Sequence, residues 1–289
     1  MAIYDVNGNS LNALYDANGN SLSSAYDVNG NLIWSAQTEP TRLKVMTYNV
    51  QKWNGINSQE AMQTEIINTY QPDLIGMQEL GTVTTLPTIG QNVLAGYQYK
   101  ILSNHVNKIL TVSKSLPLTN IVIADYVNQD PQDQSQYHET RAYTKMDVQI
   151  DGKTISFINT HLCFLTESVK WLQMKELFDI AQTCQYAIIT GDFNSMEMSA
   201  EADDYINMYK QFVDAGYHLA NNSPVAGFTN TFTSQSNATS LAELTTAPDT
   251  IIVTSNISID NVVFDTTKFS YLNGSSIDHI AVVADLTIN

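Results

Sequence analysis

Positive charge is scarce in this 289-residue chain, where 13 Lys and Arg face 29 Asp and Glu for a formal net charge of −16. Arg42 and Arg141 are the only arginines, and beyond Lys175 the basic residues are Lys210 and Lys268 alone. Non-specific binding to a nucleic-acid backbone takes most of its affinity from Lys and Arg displacing counterions, so a basic stripe is its footprint. No such stripe is visible. The deficit argues against a tight general polyanion binder but does not exclude a nuclease. Charges beyond about 8 Å are largely screened at physiological salt, and a bound divalent metal reverses the local field. Cysteine is also nearly missing. Cys163 and Cys184 are too few for a disulfide framework and are expected as free, buried thiols. No apolar run approaches the roughly 20 residues of a membrane span. Met1-Ala2-Ile3-Tyr4-Asp5 has neither a basic n-region nor an apolar h-region, so no secretory signal is expected. A cytoplasmic or a virion- or surface-associated location is left open. The 43% hydrophobic content is enough for one domain of roughly 250 residues plus an appendage.

The appendage announces itself by repetition. YDVNGNSLNAL from Tyr4, YDANGNSLSSA from Tyr15 and YDVNGNLIWSA from Tyr26 form a three-fold repeat of period eleven. Each copy centres on Asn-Gly, the strongest short hairpin signal, so residues 1–36 read as three short β-units, either hairpins or rungs of a small repeat. One such unit has no core of its own and needs to stack on something. A cap or spacer, or self-assembly and attachment, are the two readings. Asp5-x-Asn7-x-Asn9 has the oxygen spacing of a calcium loop, but its glycine stands fourth rather than sixth and no Glu closes it. Residues 37–42 read as a linker and 43–289 as the main domain.

Within 43–289, five polar motifs sit at or near the ends of apolar runs: Thr47-Tyr48-Asn49, Gln78-Glu79, Asn159-Thr160-His161-Leu162, Gly191-Asp192-Phe193-Asn194 and Asp278-His279. Carboxylates and imidazoles are costly beside a hydrophobic core unless a metal or a partner compensates them. LKVMTYN, DLIGMQE, ISFINTH and YAIITGDFN repeat one design, a buried strand delivering an acid, amide or imidazole at its C-terminal end. Asp192 and Asn194, two apart, are expected on one side of an extended segment. Asn57 with Glu60 gives a capping-box-like start to a helix reading SQEAMQTEIINTY, which stops before Gln71-Pro72. A second helix is expected over roughly 167–183. Polar loops near 125–140 and 220–247 have the length and composition of substrate-facing segments.

The order and wording of these motifs over residues 43–288 resemble the endonuclease/exonuclease/phosphatase superfamily, whose fold is that of deoxyribonuclease I. The resemblance implies an α+β, four-layered α/β sandwich, two packed mixed β-sheets flanked by helices. It further implies a metal-dependent phosphodiesterase, with a nuclease as the first expectation. The metal is magnesium, with manganese or calcium as alternatives, held by Glu79 and Asp278 with Asn49 beside them as neutral ligand or orienter. His161 and His279 flank the phosphate, Asp192 aligns or deprotonates the attacking water, and Asn194 holds a phosphate oxygen. Asp249, opening DTIIVTSN, orients His279. Arg141 matches the family's phosphate clamp, a role that suits a planar guanidinium, against a surface salt bridge with Glu139 as the plainer alternative. His105, His138 and His218 are expected on the surface.

The chain also departs from the family pattern. Ile277 follows Ser276 where the family commonly has Ser directly before Asp-His. Residues 86–133 match loosely, with Asn107 and the Tyr97/Tyr99 pair as the nearest counterparts of phosphate-contacting residues. Two other readings stay open. One is a phosphoesterase for phospholipids, phosphoinositides or small nucleotides. The other is a non-catalytic virion- or surface-associated binding module in which the repeats do the biological work.

Overall fold

The computed structural model describes residues 14–15, 21–22, 24–26, 32–35, 40–51, 57–80, 86, 88–103, 109–132, 134–135, 140–195, 203–233, 238–271 and 278–289. The chain divides into two units, Met1–Pro40 and Thr41–Asn289. In the first, β1 (Leu14–Tyr15) pairs with β2 (Ser21–Leu22) and β3 (Ser24–Tyr26) with β4 (Leu32–Ser35), both antiparallel. Leu14 stands opposite Leu22 and Ala25 opposite Trp34. Asn18-Gly19 and Asn29-Gly30, expected to form turns, lie outside the described residues. Asn7-Gly8 and the calcium-like loop lie outside the described residues.

The second unit runs β5 (Thr41–Asn49), α1 (Asn57–Tyr70), β6 (Leu74–Gln78), α2 (Thr88–Val93), β7 (Tyr99–Leu102), β8 (Leu110–Ser113) and β9 (Thr119–Asp125). It continues with β10 (Ala142–Ile150), β11 (Lys153–His161), α3 (Glu167–Ala181), β12 (Tyr186–Asp192) and α4 (Asp203–Asp214). The last strands are β13 (His218–Leu219), β14 (Asp249–Val253), β15 (Ile257–Phe264) and β16 (Val282–Ile288). Thr41 and Arg42, read as linker, already belong to β5, with Arg42 opposite Thr287. Helix α1 ends where expected: Gln71 takes a left-handed φ of 49° and its N–H bonds to the Ile67 carbonyl at 2.8 Å. Pro72 cannot continue the helix.

The strands form two mixed six-stranded sheets, ordered β15-β16-β5-β6-β8-β7 and β13-β14-β12-β11-β10-β9. The β5–β6 and β11–β12 pairs are parallel and are bridged by α1 and α3. Alternate residues of the same strands serve different layers, as the two-residue period of a strand requires. Val45, Leu74, Phe157, Ile188 and Ile251 join one cluster between the sheets. Their neighbours Met46 and Ile75 pack with Met62 and Ile66 of α1 and Val93 of α2. Ile158, Ile189 and Ile252 pack with Leu177 of α3 and Phe212 of α4. Helices, sheet, sheet, helices: this is the four-layered sandwich, and strands buried on both faces explain the near-continuous apolar runs.

A polar latch crosses the central layer. Asn159 of β11 donates to the carbonyls of Met77 and Leu110 on the opposite sheet, each at 3.1 Å, and its Oδ1 accepts from Gln78 Nε2 at 2.7 Å. Gly76 makes room for it. A Cβ there would lie 1.9 Å from Thr190 Oγ1 and 2.6 Å from Asn159 Oδ1. Neither cysteine is in a disulfide, and Cys163 is buried and Cys184 half-buried. Among the described residues no helix is long and apolar enough to cross a membrane.

Candidate active site

All the motif strands deliver their polar residues to one end of the sandwich. β5, β6, β11 and β12 reach it by their C-terminal ends, and β10, β14 and β16 leave from it. On the second sheet, register alone builds part of the site, because His161 of β11 is paired with Asp192 of β12 and Asp192 with Asp249 of β14. Three chemical groups thus stand in one transverse row. From the first sheet come Asn49, Glu79, Asp278 and His279.

Asp192 is the hub of the constellation. Its Oδ2 lies 3.4 Å from His161 Nε2 and 3.6 Å from His279 Nε2, and accepts from Asn49 Nδ2 at 2.9 Å. Burial would raise this carboxyl, but His161, His279, the Asn49 amide and the Asn194 N–H together hold it below the usual range. Behind His279, Nδ1 donates to Asp249 Oδ2 at 2.8 Å, and Thr231 Oγ1 donates to the same oxygen at 2.7 Å. Burial raises Asp249 to about 6. Burial alone would lower His279, yet Asp249, Asp192 and Asp278 around it raise its pKa to about 10. The ring is therefore an imidazolium near neutrality, tilted against Phe232 with centroids 4.7 Å apart.

On the other side Asn49 is wholly buried and donates from Nδ2 to Glu79 Oε1 at 3.1 Å, tying Glu79 to Asp192. Its Oδ1 accepts the Gln51 N–H at 2.9 Å. Asn49 is thus hydrogen-bonded to Gln51, Glu79 and Asp192. Gln51 holds Asp278 by a reciprocal pair, Nε2 to Oδ2 at 3.0 Å and Asp278 N–H to Oε1 at 3.2 Å. Asp278 Oδ1 is left buried with no hydrogen-bond partner, 3.8 Å from His279 Nε2. Burial raises the Asp278 carboxyl, and the neighbouring Glu79 adds to the rise against the pull of His279.

Two carboxylate-imidazole groups are close enough to share an ion, Glu79 with His161 and Asp192, and Asp192 with Asp249 and His279. The second is closed on itself, since its imidazolium already neutralises much of the charge on the two acids. The first opens beside Asp278 and its oxygen without a hydrogen bond. Oxygen-rich, with charge left uncompensated, it fits a hard divalent cation.

A cavity of about 310 Å³ opens at these groups, lined by Glu79, Arg141, His161, Phe164, Asp192, Asn194, Phe232, Pro248, Asp278 and His279. Arg141 is 2% exposed, and Glu139, its partner in the plainer alternative, lies outside the described residues. Its guanidinium carbon lies 5.8 Å from the Phe164 ring centroid. Asn194 does not continue an extended segment as expected. It turns at φ 51°, its N–H bonds to Asp192 Oδ1 at 2.9 Å, and its Nδ2 donates to the Leu162 carbonyl at 2.9 Å. The turn still leaves Asn194 on the cavity wall.

No protein-family model matches this sequence, and no curated protein matches it. Solved structures do. An endonuclease/exonuclease/phosphatase from Bacteroides vulgatus matches with a TM-score of 0.68 at 18% identity, over 86% of this chain and 100% of that one. This chain has the endonuclease/exonuclease/phosphatase fold. A mannosyl-6-phosphatase of Bacteroides thetaiotaomicron shares this fold at TM-score 0.63 and 14% identity, over 84% of this chain and 99% of that one. TDP2 of D. rerio, complexed with a single strand DNA product, shares it at 0.65 and 15%, over 85% and 99%. The endonuclease/exonuclease/phosphatase fold thus serves proteins with different substrates and does not choose one.

Sequence reasoning misses Gln51, Thr231, Phe164, Phe232 and Pro248 at this site. Gln51 and Thr231 act by holding Asp278 and Asp249, and glutamine or threonine in a loop carries no such signal. Phe164 and Phe232 line the cavity from positions that read as ordinary apolar residues. In the loosely matched stretch, Tyr97 is core: its hydroxyl donates to the Pro72 carbonyl at 2.7 Å. Tyr99 packs at the edge of the inter-sheet core, and neither tyrosine is on the cavity wall. His218 is exposed, while His105, Asn107, His138, Glu139, Ser276 and Ile277 lie outside the described residues.

Proposed function

We propose that the chain is a divalent-metal-dependent phosphoesterase that hydrolyses phosphodiester bonds by in-line attack of water, without a covalent intermediate. The observation that carries this reading is one cavity in which an anionic hub, Asp192, lies between two imidazoles and opens onto an under-compensated carboxylate pair. Glu79 and Asp278 would hold magnesium, or manganese or calcium, with Asn49 fixing Glu79 and Gln51 fixing Asp278. Such an ion, when bound, neutralises charge on the phosphoryl oxygens.

The rest falls to the protein's own groups. Asp192, kept ionised by its neighbours, accepts a hydrogen bond from the attacking water and aligns it. The His279 imidazolium, oriented by Asp249, offers Nε2–H to a phosphoryl oxygen. His161 stands on the other side of Asp192 and serves as hydrogen-bond donor or proton carrier for the reacting oxygens. Arg141 supplies the fixed positive charge for the oxyanion. Asn194, whose amide has a second N–H beyond the one given to Leu162, is placed to hold a phosphate oxygen.

Hydrolysis of bis(p-nitrophenyl) phosphate, plasmid DNA and RNA, with magnesium, manganese or EDTA, tests the reading against His161→Ala. Metal-dependent cleavage lost in the variant is expected, and equal turnover in both proteins would overturn the site assignment. A nuclease is the first substrate class to try. The three carboxylates on the cavity wall favour a smaller ester as the second. On this reading the N-terminal repeats attach the enzyme to a surface or to further copies of itself. Sedimentation of the full chain beside residues 41–289 tests that role.

A further inference from the structure

One edge of the second sheet carries an apolar strand in the open. Among the described residues β9 is the last strand of that sheet, paired with β10 alone. Ile121, Val122 and Ile123 at its middle are 44%, 43% and 38% exposed. An edge strand presents N–H and C=O groups to any other strand, and proteins commonly blunt it with Lys or Pro. TNIVIAD, the whole of β9, has neither, and its one charge is Asp125 at the end. The strand is nevertheless well anchored. A bulge near Asn120, at a left-handed φ of 48°, is fixed by Asn120 Nδ2 donating to Asp147 Oδ2 at 2.9 Å and by Thr119 Oγ1 donating to the Asp147 carbonyl at 3.1 Å. Past the bulge, Val122–Asp125 keep one register with β10.

This edge is complementary to itself. The Tyr126 N–H bonds to the Arg141 carbonyl at 3.1 Å, and bonded and non-bonded pairs alternate along an antiparallel ladder. Val122 and Ala124 therefore turn their backbone groups to β10, while Ile121, Ile123 and Asp125 turn theirs outward. A second copy laid antiparallel about a two-fold axis at Val122 sets Ile121 opposite the partner's Ile123. Both have outward groups, so each such pair can exchange two backbone hydrogen bonds. Asp125 then falls opposite Thr119 and not opposite another carboxylate. Moving the axis to Ile123 would instead set Asp125 against Ile121. The side chains agree with the first register. Ile123 is paired with Thr144, whose hydroxyl meets that of Thr111 on the other sheet at 2.9 Å, so Ile121 and Ile123 lie on the inter-sheet face and Val122 on the opposite one. Self-pairing covers apolar surface on both faces at once.

We propose that β9 is the surface through which two copies of this chain dimerise, joining their six-stranded sheets edge to edge about a two-fold axis at Val122. A contact confined to one strand of each copy belongs to the small class of interfaces, so the dimer is reversible and its population rises with concentration.

Sedimentation velocity of the full chain over roughly 1–500 μM tests it, beside Val122→Lys, Val122→Glu and Val213→Lys. Val213, on α4, is 54% exposed and serves as the apolar control. The wild type and Val213→Lys should dimerise. Either charged Val122 variant alone should weaken the dimer about tenfold or more, because like charges then face each other across the axis. Mixing Val122→Lys with Val122→Glu should restore association above that of either alone, a recovery that a merely disturbed edge would not give. A wild type that stays monomeric throughout would overturn the proposal. So would a dimer of equal strength in Val122→Lys, which would place the contact elsewhere, the N-terminal repeats included. A mixture no tighter than its components would overturn it as well.

Discussion

On the second sheet His161, Asp192 and Asp249 stand in one ladder row, whereas on the first sheet Gln51 and Glu79 stand beyond their strands at left-handed φ of 43° and 56°. A ladder row is fixed by many backbone hydrogen bonds at once, and slipping it by one residue would turn every side chain to the wrong face. Non-glycine residues at positive φ are uncommon and cost free energy that the surroundings must offset. Here the offset comes from Asn49, which is hydrogen-bonded to Gln51, Glu79 and Asp192 at once. One half of the site is therefore set by topology and the other by a few side-chain hydrogen bonds. His161, Asp192 and Asp249 lie in the half set by the ladder. Candidate ion ligands lie in the adjustable one.

The largest effect should come from breaking the rigid half. His161→Ala or Asp192→Asn is expected to lower kcat on bis(p-nitrophenyl) phosphate by roughly 100- to 10,000-fold, with an unchanged far-ultraviolet circular dichroism spectrum. In the adjustable half, Glu79→Gln should raise the magnesium concentration for half-maximal activity, and Gln51→Ala should do so by about 10-fold, as expected when a supporting partner is lost. A metal titration of both variants checks this, and identical curves for wild type and Glu79→Gln would remove Glu79 from the ligand set. Asn49→Ala probes the joint between the halves. It strips donors from two carboxylates and should cost about 1–3 kcal/mol in urea unfolding.

The smallest effect belongs to the opposite end of the sandwich, where Lys44 Nζ meets Asp285 Oδ1 at 2.6 Å on the surface. Burial would raise Asp285, but the Lys44 and Asn261 hydrogen bonds and the Lys44 charge hold it below the ordinary carboxylate range. Its folded pKa is therefore below its unfolded one, so the contribution is present above about pH 4 and is lost as pH falls through the folded value. With more than a third of the carboxylate exposed, screening keeps the effect to no more than about 0.5 kcal/mol. Asp285→Asn, unfolded in urea at neutral pH and again in acid below the folded pKa, should differ from wild type by that amount at neutral pH alone.

The same contrast explains what can be read from the sequence. His161, Asp192 and Asn49 end apolar runs, and a strand's alternating period makes such an ending legible as a polar group delivered from a core. The four layers follow from runs such as YAIIT and DTIIV, apolar on both faces. Gln51 and Thr231 stay invisible because their importance lies in partners 227 and 18 residues away along the chain, Asp278 and Asp249. Asn194 departs from the extended expectation because φ is not written in a Gly-Asp-Phe-Asn motif. Arg141 stands out in the sequence as one of two arginines, but its burial comes from tertiary packing that its polar neighbours Glu139 and Thr140 do not signal.

Gly76 gives the alignment of the two halves an unexpected owner. The atom missing from its α-carbon is what allows Asn159 and Thr190 to reach across the central layer. A single methyl there would act as a shim between two plates, with each sheet keeping its own shape while Glu79 drew away from Asp192. Reaction geometry tolerates errors of only about an ångström. The tolerance of the candidate site is thus machined one strand-end below it, at a glycine that is not on the cavity wall.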